Sequence, residues 1–134
     1  MKIIALKVTY NNELCGYLAQ ATNSAGKQTY MYKYVSEYTQ RKYSRAISFN
    51  LPVQDEPFYS EQLFSFFENL VSEGWLRRQQ AKFLNINEND SFSLLSHNGA
   101  DLIGAVAVLQ DEQLALLLEP YFKNPNFSYH SLPR

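Results

Sequence analysis

Side chains able to make or break bonds are few in this sequence, and they are scattered. Cys15 stands between Leu14 and Gly16 in an apolar run, His97 lies near a turn, and His130 falls in the last five residues. Neither imidazole has a cysteine or carboxylate at metal-ligand spacing, so no zinc set is expected. A thiol flanked as Cys15 is reads as a small buried hydrophobe, not a nucleophile. The stretch ATNSAGKQ (21–28) imitates a phosphate-binding loop. That motif, however, needs glycine where Ala21 stands and Ser or Thr where Gln28 stands. No glycine-rich loop, catalytic loop or metal-binding signature of a kinase follows. The residues therefore predict no enzyme, no cofactor and no metal.

Binding chemistry is better represented. Arg41, Lys42 and Arg45 form a small basic group suited to a phosphate, an acidic partner or plain solvent. Tyr30, Tyr32 and Tyr34 recur at period two. Such a stripe suits a half-buried strand, or base stacking if a positive surface surrounds it. Residues 66–78 read FFENLVSEGWLRR: an apolar helical run meets Gly74, and the chain's one tryptophan follows. At that rigid corner Trp75, rimmed by Glu73, Arg77 and Arg78, has the composition of an interface hot spot. Packing of Trp75 on Phe67 and Leu70 is the other reading.

These groups belong to a chain of 134 residues and 15.5 kDa, enough for one domain with one core. Hydrophobic residues at 46% and charged residues at 19% are globular proportions. Rings make up 15%, and Tyr and Trp are enriched at interfaces. A net charge of −1 supplies no field for phosphate backbones, which argues against direct nucleic-acid binding. Neither a signal-peptide core nor a membrane span is present, and the lone cysteine suits a reducing compartment. The sequence thus predicts a cytoplasmic protein.

Residues 2–10 alternate as a strand, Asn11-Asn12 predicts a tight turn, and residues 14–21 would close a hairpin in which Gly16 permits close approach or a bulge. The tyrosine stripe and RAISFNL (45–51) read as further strands. At residue 61 the period lengthens, predicting helices near 61–73, 75–84 and 91–96, the last N-capped by Asp90. Residues 102–109 are strand-like, and LALLL (114–118) fits a strand or a helical turn. Three prolines in 119–134 oppose regular structure. Its rings, Tyr121, Phe122, Phe127 and Tyr129, either fold back on the domain or dock on a partner. Strands before helices predict an α+β fold: a curled, mostly antiparallel sheet followed by two to three short helices in a single domain.

In order, LCGYL (14–18), YKYVSEY (32–38), ISFNLP (47–52), FFENLVSEGWLRR (66–78), DSFSLL (90–95) and NGADLIGAVAV (98–108) resemble the N-terminal domain of HipA-type kinases. Ser72 departs from the family pattern, which has proline there. The resemblance implies a division into a HipA N-terminal-like domain at 1–109 and an aromatic, proline-rich extension at 110–134. HipA-type kinases continue into a catalytic region, so the chain is similar to the small subunit of tripartite HipBST-type toxin–antitoxin systems. Such a subunit is implied to bind and restrain a HipA- or HipT-like Ser/Thr kinase toxin, whose own targets are aminoacyl-tRNA synthetases. A HipB-like helix-turn-helix protein completes the complex, and a scaffold linking kinase to repressor is the alternative. Trp75, Glu73, Arg77, Arg78, Ser72, Phe122, Phe127 and Tyr129 are the expected partner-binding residues.

Overall fold

The computed structural model describes residues 1–41, 44–70, 90–98 and 106–123. β1 (Lys2–Tyr10) and β2 (Glu13–Thr22) form the expected hairpin. Asn11 and Asn12 both take positive φ, 52° and 66°. Asparagine enters that region more readily than most side chains, and two successive positive φ values match a two-residue turn to the twist of its strands. The register slips between Val8 and Thr9: Gly16 pairs with Val8, Leu14 pairs with Thr9, and Cys15 is the extra residue of a bulge.

β3 (Gln28–Tyr34) pairs with β2, β4 (Phe58–Ser60) with β3, and β5 (Val106–Gln110) with β1. All four pairings are antiparallel, and the five strands lie in the order β4-β3-β2-β1-β5. Directly paired residues share a sheet face. Register therefore sets Tyr30, Tyr32 and Tyr34 on one face with Leu18, Leu6 and Val8, and Met31 on the other with Ala19 and Ala5.

Helices cover both faces. After α1 (Ser36–Thr39), a single turn that stacks Tyr38 on Tyr34, come α2 (Ser65–Leu70) and α3 (Ser91–Asn98) on the tyrosine face. Phe67 of α2 meets the Tyr32 ring at 5.5 Å, and Phe92 of α3 meets Tyr30 at 5.8 Å. The opposite face takes α4 (Glu112–Lys123), whose Leu114, Leu118 and Tyr121 are buried. A Lys7–Asp111 ion pair of 3.0 Å ties its start to β1. The result is an α+β domain, as expected, with its sheet enclosed between helices.

Three features differ from the sequence reading, and one open choice is decided. RAISFNL (45–51) is not a strand: Ser48 and Leu51 form an isolated bridge around a turn, closed by the Leu51 amide on the Ser48 carbonyl at 3.0 Å. LALLL belongs to the 12-residue α4, and Pro120 lies inside that helix near its end, where its missing N–H forfeits only the bond to Leu116. The helix expected from residue 61 begins at Ser65. The order of elements also departs from strands followed by helices, because β5 comes after α3 and pairs with β1. The helix expected at 75–84 lies outside the described residues, while the Asp90 cap is present: its carboxylate accepts from the Ser93 amide at 3.2 Å.

Candidate partner-binding surface

The tyrosine stripe is not available to a ligand. Tyr32 and Tyr34 are fully buried and Tyr30 nearly so, which removes the base-stacking reading. Cys15 is buried in the bulge, its thiol donating to the Val8 carbonyl at 3.3 Å and lying 3.5 Å from the Tyr32 hydroxyl. Burial pushes the thiol up to about 11, so it is neutral and unreactive at ordinary pH.

The phosphate-loop mimic is closed on itself. Asn23 Oδ1 accepts from the amides of Ala25 and Lys27, each at 2.9 Å, and the Gly26 amide donates to the Asn23 carbonyl at 3.0 Å. Amides that would cradle an anion are thus spent on the asparagine, and the Lys27 ammonium pairs with Glu61 at 2.8 Å. Within the basic group, Arg41 pairs with Glu13, and Arg45 lends its carbonyl to the Tyr38 hydroxyl at 2.6 Å. Lys42 lies outside the described residues. Among the described residues no group of three or more His, Cys, Asp or Glu could hold a metal ion.

Of the expected partner-binding residues, Ser72, Glu73, Trp75, Arg77, Arg78, Phe127 and Tyr129 also lie outside the described set. Phe122 is described and sits on α4, half-buried, with its ring edge-on to Tyr59 at 6.3 Å. The Tyr59 hydroxyl donates to the Tyr121 carbonyl at 2.8 Å, so residues 121 and 122 fold back on the domain.

Exposed apolar side chains occur elsewhere. Phe49, at the tip of the 48–51 turn, is 98% exposed, and Leu116 and Leu117 face outward from α4. Sequence reasoning missed Phe49 because its alternation with Ile47 and Leu51 suggested a common buried face. The signal that would have found it is the pair of turn-forming residues flanking it, Ser48 and Asn50.

Residues 6–109 match the family model of the HipA N-terminal domain. The chain belongs to that family. Its fold is also that of a solved structure titled "N-terminal domain of HipA toxin", at a TM-score of 0.61 and 28% identity, covering 84% of this chain and 97% of that one. A curated relative titled "Uncharacterized protein" from Haemophilus influenzae is 39% identical over 67 residues, half of this chain. The chain spans 63% of that relative's length. Membership in the HipA N-terminal domain family makes this a toxin–antitoxin-related protein, and the matched domain is distinct from the kinase catalytic domain. Phe49 and the 72–78 corner fall inside the matched span, while Phe122, Phe127 and Tyr129 fall beyond it.

Proposed function

We propose that this chain is a non-catalytic antitoxin subunit that binds a HipA- or HipT-like Ser/Thr kinase and holds it inactive by occupying or restraining its active site. The observation that carries this reading is the match of residues 6–109 to a domain whose solved counterpart is titled as part of a toxin. A domain that ordinarily abuts the rest of a longer chain has a contact surface that must be covered by something. Supplied in trans, that surface makes a binding module, and its output is control of the neighbour. Trp75, with Ser72, Glu73, Arg77 and Arg78 as a polar rim, is the proposed anchor on the kinase. A HipB-like helix-turn-helix protein would join the assembly, which acts in the cytoplasm.

The test is phosphorylation by the purified cognate kinase with and without this chain. Stoichiometric inhibition is expected. Truncating a hot-spot tryptophan weakens binding by about 2–4 kcal/mol, so Trp75→Ala should restore kinase activity at concentrations where the unaltered chain inhibits. If the chain binds kinase yet phosphorylation proceeds unchanged, its role is that of a scaffold between kinase and repressor. Equal inhibition by Trp75→Ala would remove the tryptophan from the mechanism.

A further inference from the structure

The basic group at 41–45 acquires a shape in the fold. Arg41 and Arg45 flank a cavity of about 410 Å³ whose opposite wall is the β1–β2 hairpin, with Tyr10, Asn11 and Glu13. Tyr38 lines it as well, and the surface exposed inside is chiefly apolar. Both walls are set by the backbone. Asn11 and Asn12, at positive φ, hold Tyr10 and Glu13 opposite each other across a two-residue turn. On the other side Tyr38 is the hub: its carbonyl accepts from the Arg41 amide at 3.4 Å and from the Ser44 hydroxyl, and its hydroxyl donates to the Arg45 carbonyl at 2.6 Å. The Tyr38 ring stacks on Tyr34 at 5.8 Å, so this hub is itself held by the core. A site whose backbone is already ordered loses little freedom when it is filled.

Charge decides what fills it. The Arg41 guanidinium is paired with the Glu13 carboxylate, which ties the two walls together. The Arg45 side chain is exposed and makes no ion pair or hydrogen bond among the described residues. Two guanidinium groups against one carboxylate leave one positive charge uncompensated, in a chain whose net charge is −1. The fork of Arg45, the Tyr10 hydroxyl and the Asn11 side-chain amide are donors suited to an oxygen acceptor. A phosphate monoester carries about two charges near neutrality and would leave one of them unmatched, whereas a carboxylate matches the single cation. The two tyrosine walls favour an apolar group beside that carboxylate.

We infer that this cavity binds an acidic segment of a partner protein: one Asp or Glu carboxylate on Arg45, with the apolar residue next to it against Tyr10 and Tyr38. The Glu13 carboxylate is the internal competitor, since it occupies the Arg41 guanidinium that would otherwise serve the ligand as a second cation. The site is separate from Trp75 and its rim, the residues proposed above to meet the kinase, so it stands or falls apart from that reading.

The experiment titrates the isotope-labelled chain with the peptide acetyl-Gly-Phe-Glu-Gly-amide and follows its amide shifts by NMR. Saturable shifts at Tyr10, Asn11 and Arg45 are expected, with a Kd of about 1 mM. The same peptide with Gln in place of Glu should bind about tenfold more weakly, and Arg45→Ala should weaken the Glu peptide by about as much. The domain uses only the carbonyl of the exposed Arg45, so Arg45→Ala should keep the urea midpoint of the unaltered chain. Glu13→Gln separates a binding site from a structural ion pair. Freeing Arg41 should tighten the Glu peptide about three- to tenfold, a gain that high salt erases, whereas a pair that only braces the fold predicts no gain. Inorganic phosphate is the competing probe: if it displaces the peptide at concentrations well below the peptide's own Kd, the occupant is a phosphate and the inference is overturned. No saturable shift up to about 10 mM peptide, equal affinity for the Gln peptide, or an Arg45→Ala chain that binds as tightly as the unaltered one overturns it too.

Discussion

The ring of Tyr32 lies directly over Gly16, so close that a β-carbon at position 16 would stand 2.6 Å from the ring's Cζ and 2.7 Å from the Lys33 carbonyl oxygen. Neither neighbour has room to retreat. The Tyr32 ring is packed edge-on to Tyr34 at 4.9 Å and tilted against Phe67, while the Lys33 carbonyl belongs to the β3 backbone. Glycine at this position lets the bulged β2 strand and the tyrosine face share one layer of the core.

Gly16→Ala is accordingly expected to lower stability by about 1–3 kcal/mol, the usual range for forcing a methyl group into a packed site. Urea denaturation checks it: the midpoint should fall with little change in slope. A variant as stable as the unaltered chain would show that the β2–β3 layer repacks freely, contrary to the contacts described.

Cys15 provides the second prediction. Its thiol is raised from an ordinary value of 9.0 to about 11, chiefly by burial, and burial likewise raises Tyr34 to about 12 and Tyr32 well above its usual value. Each group is an acid whose folded form holds its proton more tightly than the unfolded form. The stability this linkage contributes is complete below pH 9 and is lost as pH rises toward 11 and 12. The urea midpoint should hold steady near neutrality and drop steeply above pH 9. A thiol reagent at pH 8 should label Cys15 only when urea unfolds the chain. Rapid labelling of the native protein would contradict the burial seen at the bulge.

Much of the sheet was legible because its signals are local. Alternation marked β1 and β2, Asn11-Asn12 marked their turn, Gly16 marked the close approach, and Asp90 marked the cap of α3. The rest depends on distant contacts. RAISFNL has the alternation of a strand, yet the Tyr34 hydroxyl captures Ile47 and Leu51 and folds the segment into a turn that turns Phe49 outward. β4 is three residues long and exists by pairing with β3, too short to carry a period of its own. Leucines 114, 116, 117 and 118 are ambiguous as a five-residue run, and only Asp111 before them and Tyr121 after them complete a helix facing the sheet. The candidate site was less legible still. Its expected anchor, Trp75, lies outside the described residues, and the exposed Phe49 was disguised by apolar neighbours that are themselves buried.

Asp111 joins two elements at once, and this makes it the test of how firmly α4 is held. One of its carboxylate oxygens accepts from the amides of Gln113 and Leu114, at 3.0 and 3.2 Å, capping the helix. The other pairs with Lys7 of β1 at 3.0 Å, and the Asp111 amide donates to the Ala5 carbonyl at 3.0 Å. The hydrogen bond from Lys7, then the one from the Leu114 amide, hold this carboxyl below its usual range. Its contribution is present above the ordinary carboxylate value and is lost as pH falls through the lower folded value. Asp111→Ala should therefore destabilise the protein by about 0.5–2 kcal/mol at neutral pH, as loss of an N-cap does, and by less in acid. Asp111→Asn separates the two roles, because an amide still caps the helix but carries no charge for Lys7. If the ion pair matters, Asp111→Asn should fall between the other two proteins at low salt and approach the unaltered chain at high salt, where an exposed pair is screened. Identical denaturation curves for all three at neutral pH would mean that the helix is held by its buried face of Leu114, Leu118 and Tyr121 alone.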